Sequence, residues 1–406
     1  MSVKKYYSLA KQRLFPICRS ITGNGVRKTL KIIKKEFPKL KIYSVPSGTK
    51  VFDWNIPPEW NIKDAYILDK DNKKIVDFKN NNLHLVGYSV PINKFFSKKK
   101  LFNHIHTLAK QPKAIPYITS YYKRYWGFCI SHTEKLQFEK KYKNSDKFKV
   151  VINSNLNAKG KLNYGELILK GKSKQEILIS TYVCHPSMAN DNLSGPIVSM
   201  CLINHFSKLK NLEKTIRFIF IPETIGSITF LNKNLPYLKA NVVGGFNLSC
   251  VGDDKHHSCM FTKYENTPSD RAIVEAYNKL RIKFKRYPFL ERGSDERQYN
   301  SPGIDLPIAT IFRTKFGKNP EYHTSLDDFN IVTESAWGPG YDNTNPQKIM
   351  ITEKVWKPLI SFQPFILIST KFFGSSSIIE IPISPWMVKV RVRGMGVAVR
   401  ARTSGK

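Results

Sequence analysis

Apolar positions within residues 1–40 recur at helical spacing: Tyr6, Leu9 and Leu14, then Val26, Leu30 and Ile33, on either side of a turn-prone Ser20–Gly25 segment. From about Ile42 to Phe96 the texture changes to short alternating runs broken by turn residues, such as Trp54-Asn55-Ile56-Pro57-Pro58 and Asp69–Lys74. That pattern predicts a small β-rich unit inserted into a larger domain. Tyr117–Cys129 is dense in aromatics (Tyr121, Tyr122, Tyr125, Trp126, Phe128); packing against the core is the first reading, lining of a pocket the alternative. From Gly165 onward the pattern is strand, turn, helix, repeated. Glu176–Val183 and Thr215–Ile221 read as buried strands, one leading to His185 and the other to Pro222-Glu223. Ser194–Leu209 reads as an amphipathic helix, and Asn241–Leu248 and Leu306–Phe312 as two more strands. Strands alternating with helices predict an α/β fold, a mixed but mostly parallel sheet flanked by helices. Ligands of such sheets bind beyond the strand carboxyl ends, where His185 and Glu223 fall.

The expected organisation is therefore 1–41 as the first part of the main domain, 42–115 as the inserted β-rich unit and 116–335 as the main domain proper. Residues 336–406 form an atypical tail. Within it Ala336–Asn345 reads as a linker, and the Val/Arg/Gly tract ending at Lys406 reads as disorder or as sequence foreign to the folded unit.

With 41% hydrophobic residues in 406, the chain has material for a substantial core, so disorder is not the default. The most apolar stretch, Leu359–Phe373, is broken by Ser361, Gln363, Pro364, Ser369, Thr370 and Lys371, which argues against a membrane span. Met1–Arg13 offers no apolar run for a signal-peptide core, and none of the six cysteines forms a CxxC pair; a cytoplasmic protein with reduced thiols is the reading. The formal charge of +35 invites a nucleic-acid partner, but lysine is spread along most of the chain with asparagine and isoleucine, as an AT-rich coding sequence produces. A nucleic-acid partner is accordingly not expected, and nothing in the sequence indicates an oligomeric state.

Four segments carry candidate chemistry: Cys184–Gly195, Pro222–Gly226, Gly293–Glu296 and Glu321–Asp327. Zinc takes neutral imidazole nitrogen and carboxylate oxygen, and a catalytic site uses three protein ligands with one open position. His185, Asp191 and His323 supply that set. A carboxylate outside the ligand set is then needed as a base, and Glu223 suits it; the alternative, Glu223 as ligand, leaves the base unassigned. Asp295 and Asp327 are candidates to orient the imidazoles. For substrate, Asp253, Asp254, Asp295 and Glu296 are candidates to hold an amino group, and Arg19 or Arg297 a carboxylate. Each residue taken singly has a structural reading: Glu223 and Asp191, for instance, as helix-terminal acids. Their conjunction is what points to a site.

Asn190-Asp191-Asn192-Leu193-Ser194-Gly195 resembles the Asn-Asp-Asn-x-Ser-Gly signature of the co-catalytic zinc aminopeptidases, whose relatives include glutaminyl cyclase. His323-Thr324-x-x-Asp327 is similar to their closing motif, and Ser294-Asp295 with Gly303-Ile304 to another. From Leu14–Gly23 through His323 the chain resembles a bacterial aminopeptidase-like family of unknown substrate, found beside polysaccharide-biosynthesis genes. That family has an inserted small domain and usually a C-terminal winged helix. The winged helix has no counterpart in residues 336–406. In the di-zinc relatives two adjacent glutamates follow the strand, where this chain has Glu223-Thr224. Their Asp in an Asn-Leu-Asp-x-Val-Gly context corresponds to Ser249. The resemblance thus implies one zinc ion in preference to two, and hydrolysis of an N-terminal peptide bond or small amide. Acyl transfer, cyclisation or deacylation on the same scaffold is one alternative, and a non-catalytic binding module on a degenerate hydrolase fold is another.

Overall fold

The computed structural model describes residues 3–333, together with the backbone of three strands further on. The linker expected at 336–345, the run Leu359–Phe373 and the ends of the tail lie outside the described residues. The N-terminal helices form where the apolar spacing predicts them. α1 (Val3–Leu9) continues through a wider turn to Leu14, and α2 spans Asn24–Glu36. Then follow β1 (Lys41–Pro46), β2 (Glu59–Leu68), β3 (Lys74–Asp77), β4 (Ile92–Ser97), α3 (His132–Lys141), β5 (Lys147–Asn157), β6 (Lys161–Leu169) and β7 (Ser173–Tyr182). The second half contributes α4 (Ser194–Phe206), β8 (Lys214–Ile221), α5 (Ile225–Asn241), β9 (Val242–Leu248), β10 (Ser258–Met260), α6 (Pro268–Lys279), β11 (Lys285–Tyr287) and β12 (Ile308–Phe312).

Eight strands make the main sheet in the order β1-β6-β8-β7-β9-β12-β10-β11. Its centre, β8-β7-β9-β12, is parallel, while β1, β6 and β10 join antiparallel to their inner neighbours. This is the mixed α/β sheet anticipated from the alternation of elements. The central strands are apolar almost throughout because helices cover both faces, leaving no solvated side to alternate with. One core lies between the sheet and α1, α2, α4 and α6; the other lies on the opposite face, against α5 and the smaller sheet.

The segment expected as an inserted unit divides between two sheets. β1 pairs with β6 in the main sheet, whereas β2, β3 and β4 join β5 in a four-stranded antiparallel sheet ordered β3-β2-β5-β4. Alternation identifies strands but not their partners. α4 also differs from expectation. It ends at Phe206, and all but Asn204 and His205 of its residues are buried, because the N-terminal helices cover the face that an amphipathic helix would turn to water.

The six cysteines are unpaired. Among the described residues, no helix is long and apolar enough to cross a membrane. The chain divides into two units, Met1–Phe362 and Gln363–Lys406; the second contains an antiparallel sheet of Ser377–Ile383, Trp386–Arg393 and Gly396–Arg400.

Candidate metal centre

Four loops, those that follow β7, β8, β9 and β12, meet beyond the carboxyl ends of the parallel strands. The segment 190–195 explains itself residue by residue. Asn190 Oδ1 accepts from Gly252 N at 2.8 Å and its amide donates to Asp253 Oδ2 at 3.1 Å, tying the loop after β7 to that after β9. Asn192 donates to Thr181 Oγ1 at 3.0 Å, and its own side-chain oxygen accepts from Gly195 N at 3.3 Å. Ser194 Oγ donates to Asn190 O at 2.6 Å and accepts from Val251 N at 3.0 Å. Gly195 lets the helix approach the sheet closely: a Cβ there would lie 2.1 Å from Thr181 Oγ1 and 2.7 Å from Leu248 O. Asp191 is thus held by neighbours on both sides and turned inward.

His185, Asp191 and His323 come together, each offering a ligand atom within 4.8 Å of the others. Asp191 Oδ2 lies 3.0 Å from His323 Nε2 and 3.9 Å from His185 Nε2. Asp191 Oδ2 and His323 Nε2 are buried and neither has a hydrogen-bond partner. Two buried polar atoms this close with no well-formed hydrogen bond are unfavourable unless a cation satisfies them. Two ligands at zinc bond lengths of about 2.0–2.2 Å and tetrahedral angles would stand roughly 3.4 Å apart, within the observed spread. Burial pushes His185 down to about 4, the pull of Asp191 opposing it, which favours the neutral ring that ligation needs; Nδ1 faces Cys184 Sγ at 3.5 Å. The residues therefore fit a zinc ion in donor type and number.

Glu223 stands at the rim. Ile225 N donates to Glu223 O at 2.8 Å across Thr224, whose φ is 63°, a γ-turn of the rare positive-φ kind. That turn aims the Glu223 side chain at the centre: Oε2 is 3.7 Å from His185 Nε2, and Oε1 accepts from Ser294 Oγ at 2.7 Å. Burial raises the Glu223 carboxyl well above the usual range, with Asp295 and Asp191 adding to the effect. Asp295 Oδ1 accepts from Thr224 N and Ser227 Oγ, both at 2.7 Å, and so fixes the γ-turn; burial pushes this carboxyl up to about 7.

Asp327 acts differently from expectation. Its carboxylate contacts backbone rather than an imidazole, accepting from the N–H groups of Ala189 (3.1 Å), Asn190 (2.6 Å) and Asp191 (2.8 Å). Glu296 is likewise satisfied internally, by Gly293 N and Ser294 N at 2.8 and 2.9 Å and by Thr310 Oγ1 at 3.2 Å. Arg19 lies behind the site, donating Nε–H to His185 O at 2.9 Å, with a second bond to Leu14 O. Asp253 is held by Thr314, and Asp254 lies away from the centre against Thr333. Arg297 donates to Thr224 Oγ1 at 2.9 Å beside the Glu223 turn. Sequence reasoning did not pick out Tyr117, whose ring packs 5.2 Å from His185 and 5.1 Å from His323, or Tyr322, stacked on His323 at 3.9 Å. It also passed over Tyr182, which hydrogen-bonds Asp191. Of the aromatic segment, Trp126 and Phe128 pack into the core, while Tyr117 and Tyr121 share a hydroxyl contact of 3.1 Å near the site.

The architecture is that of the aminopeptidase-like α/β fold: BSAP, a zinc aminopeptidase from Bacillus subtilis, superposes with a TM-score of 0.58 at 13% identity, over 82% of this chain and 90% of that one. The chain belongs to the family described as a domain of unknown function (DUF4910), whose profile matches residues 7–353. A Clostridium acetobutylicum protein, provisionally named a polysaccharide biosynthesis protein with aminopeptidase-like domain, is 44% identical over 330 residues, 81% of this chain and 74% of its own. A crystal structure from C. acetobutylicum, provisionally named a peptidase, matches with a TM-score of 0.80 at 40% identity over 88% of this chain and 80% of that one.

Proposed function

We propose that the protein is a zinc-dependent hydrolase of the aminopeptidase type, with His185, Asp191 and His323 as metal ligands and Glu223 as the general base. The observation that carries this reading is the pair of unpartnered buried atoms, Asp191 Oδ2 and His323 Nε2, 3.0 Å apart with Glu223 alongside. Zinc held there would supply Lewis acidity and bring the pKa of a coordinated water to about 7. Glu223 takes a proton from the attacking water at Oε2 and delivers it to the leaving nitrogen of the amide. Ser294 holds Oε1, so the carboxylate stays oriented through both transfers. Burial, with Asp295 and Asp191 nearby, raises the Glu223 carboxyl and so strengthens it as a proton acceptor. Tyr117 and Tyr322 fix the planes of the imidazoles. The unpaired cysteines accord with a cytoplasmic setting.

The substrate is a peptide with a free N-terminus or a small amide. The name of the C. acetobutylicum relative favours a second reading on the same chemistry, removal of an acyl group from an aminosugar. Aminoacyl-arylamides set against N-acyl sugars separate the two, because turnover of the sugars alone would remove the peptidase assignment. The residue roles are tested by Glu223→Gln, expected to keep its zinc while turnover falls by about 10²–10⁴-fold. Full activity in that variant, or a wild-type protein that takes up no zinc, would refute the reading.

A further inference from the structure

The two oxygens of Asp191 have unlike surroundings. Oδ2 faces the imidazole nitrogens of His323 and His185 at 3.0 and 3.9 Å. Oδ1 faces away and accepts from the Tyr182 hydroxyl at 2.5 Å, and that hydroxyl lies 2.9 Å from Ser249 Oγ. All three residues are buried, Tyr182 on β7 and Ser249 just beyond β9, so neither hydroxyl can be exchanged for water without disturbing the sheet. A carboxylate can bind a cation through each oxygen. Here Oδ1 meets one neutral hydroxyl, whose proton is committed to it, with the Ser249 hydroxyl behind that. Among the described residues, the group of histidine, cysteine and acidic side chains close enough to hold a metal is His185, Asp191 and His323; no second group adjoins Oδ1.

We infer that the Tyr182 hydroxyl, seated on Ser249, makes Asp191 a one-cation ligand: it occupies Oδ1 and leaves Oδ2 for the metal, and together with the uncharged Ser249, which offers no second ligand, it limits the site to one zinc ion per chain. Tyr182 is on this view a positioning residue that sets metal number and carboxylate orientation without touching substrate. The inference rests on the metal site proposed above, and metal content rather than turnover tests it.

Zinc per chain is measured by equilibrium dialysis and elemental analysis, and affinity by competition with a chelator. The wild type takes one equivalent. Tyr182→Phe removes the hydroxyl alone; it keeps one equivalent and binds it about 10–100-fold more weakly, as loss of an oriented partner of a ligand does. Adding Ser249→Asp to Tyr182→Phe sets a carboxylate opposite the freed Oδ1, and the double variant takes a second equivalent. Absence of either the weaker binding or the second equivalent overturns the proposal. If the double variant fails to fold, judged by circular dichroism, Ser249→Ala decides, because zinc affinity unchanged on losing the phenol's second partner overturns it equally. Two equivalents in the wild type would sink this inference and leave the hydrolase reading standing; none would sink both.

Discussion

Replacing Asp327 by Asn keeps its volume and changes only what its two oxygen positions can accept. The carboxylate takes three consecutive backbone N–H groups, two on Oδ1 and one, from Asp191, on Oδ2. An asparagine carbonyl can keep the Ala189 and Asn190 donors, but its amide then confronts the Asp191 N–H, donor to donor. A buried unsatisfied N–H costs about 1–3 kcal/mol; burial pushes the Asp327 carboxyl up to about 8, so loss of charge assistance on the other two bonds adds nothing to that figure. A loss of about 1–3 kcal/mol is a sizeable part of a typical total of about 5–15 kcal/mol and corresponds to a Tm lowered by roughly 2–5 °C. Because the third donor belongs to Asp191 itself, the same change displaces the proposed metal ligand, and zinc affinity is expected to fall about 10–100-fold. Urea titration of the apo-protein reads the first effect and chelator competition the second. An apo-protein within about 1 kcal/mol of wild type would mean that water or loop relaxation satisfies the three N–H groups, and the reasoning would fail.

Gly195→Ala puts a methyl where Thr181 Oγ1 is 2.1 Å away; overpacking of about 1–3 kcal/mol is expected, with a shift of the 190–193 loop, and unchanged thermal stability would contradict the close approach. Acid stability tests the junction between α2 and the four-stranded sheet. Burial alone would raise Glu59, but bonds from both Arg27 terminal nitrogens, Asn61 and Lys161 N hold its carboxyl down to about 2. A folded pKa below the unfolded value of 4.5 means full stabilisation above that pH and progressive loss as pH falls towards about 2. The stability gap between wild type and Glu59→Gln should therefore close over that window, as read from urea midpoints; a gap constant from pH 6 to 2 would refute it.

What could be read in advance and what could not divide along a physical line. Strands buried on both faces announce themselves as apolar runs, so β7 and β8 were legible, and with them the positions of His185 and Glu223 at their carboxyl ends. β10 and β11 are three residues each, too short to carry a period. β5 alternates plainly in the structure, yet its partner strand β2 lies about ninety residues earlier, and no local pattern reports such a pairing. The same holds within the site. The candidate ligand set was legible because imidazoles and carboxylates are scarce and chemically specific. The groups that orient it are backbone N–H donors, a serine and a tyrosine, residue types that any chain supplies in plenty. Asp327 illustrates the boundary: its type and spacing from His323 pointed to the centre, but only the fold turns it towards Asp191's backbone in preference to the imidazole. Candidate metal-ligand positions are thus written in composition, whereas their rigidity is written in topology, and in this chain the second leaves Asp191 Oδ1 on the Tyr182 hydroxyl and Oδ2 facing His323.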